Sequence, residues 1–325
     1  MGSIPIQRIQ IALPFQNVGV DYAGPMTLKL HKGRCNRTTK GYIVLFVCFA
    51  TKAIHLEAAS DLSTKSFLDA FERFFSRRGL CANIYSDNAT NFVGANSELN
   101  KEYKLAIKNS SLELAASLAS RKVAWHFIPP SAPHFGGIWE AGVKSVKTHL
   151  RKIVHRACLT FEDLNTLLCR IEACLNSRPI TALSDDPNDL CPLTPGHFLR
   201  GEALLAPPLP SKEENSLTNP KTIELIQELK NHFWQRWKNE YLTQLQQRPK
   251  WKTAKTNIDI GDLVIIKDEI TPPQTWKMGR VIVTHPGSDG LVRVVTLKTE
   301  TGELKRPVHK LCLLPKNSFI DEEET

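Results

Sequence analysis

Three acids stand where their neighbours make an acid conspicuous. Asp21 interrupts the alternating, partly β-branched run NVGVDYAGPMTLKL (17–30). Asp87 ends the strand-like segment CANIYSD (81–87). Glu140 follows a glycine pair in GGIWEAGVKSVKTHLRK (136–152), with cations behind it. A carboxylate inside an apolar strand is costly unless it is paired, protonated or metal-bound. If the Asp21 and Asp87 strands are neighbours and a helix brings Glu140 to the same edge, three carboxylates converge and repel. A hard divalent cation, Mg²⁺ or Mn²⁺, resolves that repulsion. Two such ions about 4 Å apart activate an attacking water or hydroxyl and stabilise the leaving oxygen of a phosphodiester. No Ser-His-Asp order, glycine-rich phosphate loop or zinc-type His/Cys spacing offers rival chemistry, and no zinc site is expected. Taken singly, each acid also reads as an ordinary cap or turn residue.

The cations behind Glu140 are spaced for one helix face. Glu140, Lys144, Lys147 and Arg151 fall at i, i+4, i+7 and i+11. Val143, Val146, Leu150 and Ile153 form a different, apolar face. An acid early and bases late suit the helix dipole, and Glu140–Lys144 suits an exposed i,i+4 pair. The same stripe also suits gripping DNA phosphates beside a metal site.

The elements that must position these residues are readable in outline. GYIVLFVCFA (41–50) is a continuous apolar run, as in a strand buried on both faces. TKAIHLEAA (51–59) follows it as a hairpin partner. Ser63 caps a helix whose apolar face is Phe67, Phe71, Phe74 and Phe75, and Gly79 ends it. A polar helical stretch spans about 94–121, VAWHFIPP (123–130) is another strand, and a helix runs from Thr160 to about Asn176. The pattern predicts an α/β domain over 15–200, a mixed sheet flanked by helices, behind a leader at 1–14. A linker at 201–219 leads to a connector helix at 220–250 with Ile226, Leu229, Phe233, Trp237 and Tyr241 at helical spacing. Four short strands, DLVIIKD, MGRVIVTHP, LVRVVTLKT and ELKRPVHKL, then predict a small β-barrel at 251–316, before an acidic tail at 317–325.

The chain of 325 residues carries a formal charge of +9. Residues 221–317 hold 17 Lys and Arg against 10 Asp and Glu, a net of +7, while the tail contributes −4. A basic C-terminal half suits nucleic acid, or simply a solvated basic surface. Eight cysteines without a Cys-x-x-Cys pair, mostly in apolar runs, suit buried thiols in a reducing compartment. No signal peptide or membrane-length apolar run is seen, so an intracellular chain without a membrane partner is expected.

VDYAGP, SDNATNF and PHFGGIWEAGVKSVKTHL resemble the three acidic motifs of retroviral and retrotransposon integrases. LNSRPIT, LTPGHFLRG, HFWQRW…YL and GDLV…GRV…RPVHKLCLLP extend the resemblance to the Bel/Pao group of long-terminal-repeat retrotransposons. The resemblance implies an RNase H-like core, a C-terminal SH3-like barrel, and Asp21, Asp87 and Glu140 as catalytic acids on two Mg²⁺ or Mn²⁺ ions. It implies DNA contacts from Lys144, Lys147, Arg151, Asn88, Asn91 and His134, and an active-site loop at Gly136 and Gly137. Basic residues of the barrel, Arg280 and Arg306 among them, with Trp276, would meet DNA backbone or a chromatin partner. Double-stranded DNA, both element ends and target, and a homo-oligomer assembled on it are the implied partners. Synthesis in the cytoplasm and action in the nucleus are the implied locations. The sequence departs from the family in three ways. The Asp87–Glu140 separation holds 52 residues, Ala89 stands where many relatives have glycine, and no His-His-Cys-Cys zinc domain precedes the core. A catalytically inactive binding remnant, an assembly protein acting through helix and barrel, and a nuclease making simple cuts stand as alternatives.

Overall fold

The computed structural model describes residues 10–32, 37–108, 122–128, 133–154, 157, 159–205, 220–246, 257–268 and 271–315; the side chains of 107, 133–143 and 220–222 are not described. The expected leader at 1–14 and linker at 201–219 lie largely outside the described residues, and the acidic tail at 317–325 wholly so. Contacts group the chain into two compact units, Met1–Leu175 with Glu214–Phe233, and Asn176–Glu213 with Trp234–Thr325.

The first unit holds β1 (Asn17–Lys29), β2 (Thr38–Cys48), β3 (Ile54–Ala59), α1 (Thr64–Arg78), β4 (Asn83–Ser86), α2 (Thr90–Lys108), β5 (Ala124–Phe127), α3 (Pro133–Val154) and α4 (Phe161–Asn176). Its five-stranded sheet has the order β3-β2-β1-β4-β5. β1, β2 and β3 are antiparallel, whereas β4 runs parallel to β1 and β5 parallel to β4. The apolar run of β2 is buried from Ile43 to Cys48, as a strand covered on both faces requires. Ser63 accepts the Ser66 amide and Gly79, at φ 85°, closes α1, both at the positions the sequence marks. Phe67, Phe71 and Phe74 of α1 pack on Phe46 of β2, with Phe46 and Phe74 stacked at 4.3 Å. Thr160 caps α4 in a reciprocal box, accepting the Asp163 amide while Asp163 accepts from Thr160.

At the β3 edge a charged cluster is buried between β3, α1 and α4. His55 and Glu57 are fully buried, and the His55 Nε2 lies 2.9 Å from Glu57 Oε1. Arg78 Nε donates to His55 Nδ1 at 3.2 Å, and Arg73 and Arg77 both reach Glu57. Glu172 accepts the Leu56 amide at 2.9 Å and lies against His55 Nδ1 and Arg78. Burial lowers the His55 pKa below its ordinary 6.5; Glu172 opposes that shift, and Arg78 and Arg77 support it.

A folded-state pKa below the unfolded value means that the unfolded chain binds the proton first as pH falls. The His55 contribution to stability is therefore full above pH 6.5 and lost progressively below it. The thermal midpoint should fall between pH 7 and 5, with a shallower slope in His55→Gln. Parallel curves for the two proteins, read by circular dichroism, would show that His55 is not the titrating group.

The second unit begins earlier than the sequence suggests. β6 (Thr181–Ala182) and β7 (Pro192–Leu193) pair with each other, and α5 (Pro195–Arg200) follows. These residues, expected with the α/β domain, cluster with the C-terminal sheet instead. Thr181 Oγ1 donates to Pro315 O at 2.7 Å, and the Tyr241 hydroxyl donates to Pro179 O. α6 (Pro220–Leu245) supplies Trp234, Trp237 and Tyr241 to this unit. The sheet comprises β8 (Leu263–Ile266), β9 (Met278–Pro286), β10 (Val292–Thr299), β11 (Gly302–Pro307) and β12 (Leu311–Leu313), in the antiparallel order β11-β10-β9-β8-β12. β12 is a fifth strand beyond the four expected. The sheet is buried on both faces at β8. Val264 and Ile266 join one apolar cluster with Val281 and Leu297, while Leu263 and Ile265 join another with Leu242, Cys312 and Leu314.

Candidate active site

Asn83 Nδ2 donates to Asn17 Oδ1 at 2.8 Å where β1 and β4 begin to pair, and the parallel ladder runs Asn17–Asn83, Val18–Ile84, Gly19–Tyr85. Asp21 and Asp87 each stand two residues past the Gly19–Tyr85 pair. They therefore stand at the same step beyond the ladder, Asp21 within β1 and Asp87 just past the end of β4. That step is at the carboxyl end of β4, where open α/β sheets bind ligands.

Asp21 is half-buried. Its Oδ1 accepts the Tyr22 amide at 2.7 Å, and its Oδ2 accepts from Lys147 Nζ. Asp87 is exposed, and its Oδ1 accepts the Ala89 amide at 3.1 Å in a tight turn that opens α2. Positive φ at non-glycine residues occurs at Phe15, Lys52 and Gln274 and not at Ala89, so the alanine sits in this turn without strain.

Residues on both sides of Asp87 fix it. Trp125 Nε1 donates to Ser86 Oγ at 2.9 Å, and Ser86 Oγ donates to Asp87 O at 2.8 Å. Asn88 Nδ2 donates to Ile128 O at 2.7 Å, tying the end of β4 to the end of β5. Asn88 thus orients the loop, and Ser86 and Trp125 are positioning residues that sequence reasoning missed. The polar serine inside NIYSD was the available signal. Asn91, expected at DNA, is corrected: it is 6% exposed and lies beside the Tyr22 hydroxyl. Burial pushes that hydroxyl up to about 12, against the pull of Asn91. A buried amide facing a tyrosine has no path to a phosphate.

α3 starts at Pro133, a residue type suited to the first helical position. His134, Gly136 and Gly137 therefore lie within the helix rather than on a loop ahead of it, and Glu140 lies in its second turn. Their side chains are outside the described residues. Val146, Leu150 and Ile153 are buried, as the apolar face requires. The basic stripe divides: Lys144 and Arg151 are exposed, while Lys147 turns inward to Asp21. Arg151 Nη2 lies 3.5 Å from Gly24 O. α3 therefore runs over β1, and the Glu140 backbone lies two helical turns before Lys147, about 10 Å along the axis. Among the described residues no three His, Cys, Asp or Glu side chains form a metal cluster, a set to which Glu140 does not belong. The donors that are described fit a hard cation: two carboxylates, one on β1 and one just past β4, the first already drawing a cation to itself.

Two expectations for the barrel are corrected. Arg280 is 5% exposed and donates to Gly261 O at 2.9 Å, Ser184 O at 3.1 Å and Asp189 O at 2.7 Å. It holds a loop together inside the second unit and does not face DNA. Trp276 packs edge-on to Trp234 at 4.9 Å and to Trp237 and Tyr241, as part of an aromatic core. Arg306 on β11 is exposed, with Lys305 and Lys310 also at the surface.

A family model described as a family of unknown function, DUF5641, matches residues 221–314. No curated protein matches the chain. Among solved structures, a chain of the cryo-EM structure of the simian T-cell lymphotropic virus intasome in complex with PP2A regulatory subunit B56 gamma matches at 12% identity. The match has a TM-score of 0.36 and covers 93% of this chain and 80% of that one. Among the described residues no helix is long and apolar enough to cross a membrane.

Proposed function

We propose that this chain is an integrase of the Bel/Pao retrotransposon type, with an RNase H-like core and an SH3-like second unit. It would join element DNA ends to target DNA. The observation that carries the reading is the parallel pairing of β1 and β4, whose ladder ends two residues before both Asp21 and Asp87, with Glu140 on the helix α3. The sheet order, three antiparallel strands followed by two parallel ones, agrees with it.

Asp21, Asp87 and Glu140 would hold two Mg²⁺ or Mn²⁺ ions, which supply activation of the attacking oxygen and stabilisation of the leaving one. Lys144 and Arg151, exposed on α3, bind phosphates either side of the reacting one. Ser86 and Asn88 hold the Asp87 backbone in place, which keeps its carboxylate aimed without reorganisation. In end processing a water oxygen bonds to phosphorus, the P–O3′ bond breaks, and the water gives a proton to solvent while the departing 3′ oxygen takes one up. In joining, the freed 3′ hydroxyl bonds to a target phosphorus, the target P–O3′ bond breaks, and the attacking hydroxyl's proton passes to solvent while the departing target 3′ oxygen takes one up. Lys305, Arg306 and Lys310 of the second unit would contact DNA backbone, and the working form would be an oligomer on DNA in the nucleus.

A non-catalytic DNA-binding role is the second reading. The ion pair that satisfies Asp21 through Lys147 favours it, because the fold then stands without a metal. Joining of a labelled donor oligonucleotide to plasmid DNA with Mn²⁺ separates the two. Product from the parent but not from an Asp87→Asn, Glu140→Gln double variant supports the integrase. Equal DNA binding with no product from either supports the binding role.

A further inference from the structure

We propose that Lys147 is an exchangeable counter-cation that couples DNA binding to metal binding. In the free protein it occupies Asp21; when DNA arrives it moves to a phosphate and leaves Asp21 open to a divalent cation. The inference rests on the reading of Asp21 as a metal ligand.

Both oxygens of Asp21 are engaged. Oδ1 accepts the backbone amide of the next residue, Tyr22, whereas Oδ2 accepts a flexible lysine. A cation entering at Asp21 therefore displaces Lys147, or meets its positive charge at close range. The lysine is free to move. Its side chain is 29% exposed and that of Asp21 26%, so the pair lies at the rim of the site and not in the core. A lysine head is a compact charge on a rotatable stem, without the planar fork that would fix an arginine to the carboxylate.

A place for it to go lies alongside. Lys144 and Arg151 are exposed about one turn to either side, within about 6 Å along the helix. A strand laid across them brings a phosphate to Lys147. Each ligand then removes an obstacle to the other, and the coupling is reciprocal by thermodynamic necessity.

The test titrates Mn²⁺ into the full chain, with free metal read by electron paramagnetic resonance, with and without a short DNA duplex. The Asp87→Asn, Glu140→Gln variant gives the background of metal bound by DNA itself. For the parent, DNA should tighten Mn²⁺ binding by roughly 5–20-fold, within the range of typical coupling. Lys147→Gln should bind Mn²⁺ more tightly than the parent without DNA, by a similar factor, and DNA should then add little. Lys147→Arg, which grips the carboxylate through its fork, should bind Mn²⁺ more weakly than the parent. Equal Mn²⁺ affinity in the parent and Lys147→Gln without DNA would overturn the exchange while leaving the active site standing. No Mn²⁺ binding above the double-variant background in any protein, with DNA or without, would overturn both the exchange and the metal site.

Discussion

Asp87→Asn is expected to lower DNA joining by about 10³-fold, with DNA affinity and thermal midpoint unchanged. A metal-bound carboxylate contributes several kcal/mol to the stabilisation of charge in phosphoryl transfer, and about 4 kcal/mol corresponds to a factor of 10³ in rate. The structural cost of the substitution is small for a specific reason. Asp87 is exposed, and its Oδ1 accepts the Ala89 amide. Asparagine keeps an oxygen there, so the turn into α2 survives. The backbone anchors at Ser86 and Asn88 do not involve the carboxylate. Single-turnover joining, fluorescence anisotropy on a donor duplex and a thermal melt measure the three quantities. Joining within tenfold of the parent would mean that Asp87 is a turn residue and not a metal ligand.

Asp21 would not give so clean a result. Its neutralisation removes a ligand and also the partner of Lys147, so DNA affinity should change along with rate. Asp87 and Asp21 were both legible in the sequence because an acid breaks the local apolar pattern in each strand. Their common step beyond the ladder followed from a strand order that puts β4 beside β1. The N-terminal cap at Ser63, the glycine stop at Gly79 and the apolar run of β2 were legible because backbone and burial preferences act within a few residues. Other features depend on partners distant in sequence. Nothing in DNATNF says that Asn91 faces Tyr22, 69 positions earlier in the chain. The run from Asn176 to Arg200 reads as the end of the α/β domain. Its grouping with the second unit depends on carbonyls that accept from Thr181, Tyr241 and Arg280, and carbonyls carry no sequence signal.

Arg280 shows how far that ambiguity reaches, and it gives the largest expected change in stability. In GRVIVTHP it looks like one more cation on a basic barrel, equivalent to Arg306 in ELKRPVHK. The structure makes them opposites. Arg280 spends its guanidinium on the backbone carbonyls of Ser184 and Asp189 in the β6–β7 loop and of Gly261 in the turn before β8. Each hydrogen bond from a charged donor contributes about 1.5–3 kcal/mol, and the contributions within one cluster are not additive. Arg280→Leu should therefore destabilise the chain by about 3–5 kcal/mol, because it removes these charged hydrogen bonds and sets an apolar side chain among the carbonyls that accepted them. Arg280→Lys should recover only part of this, since one ammonium cannot span three acceptors. Arg306→Ala should leave stability within about 0.5 kcal/mol and reduce the salt dependence of DNA binding by about one phosphate contact. Urea unfolding and salt-titrated anisotropy distinguish the two arginines. If Arg280→Leu unfolded like the parent yet lost DNA affinity, the guanidinium would belong to the DNA surface after all, and its contacts with the loops would be incidental. The structure supports the other outcome, because an arginine that is 5% exposed directs its guanidinium to the protein's own backbone carbonyls.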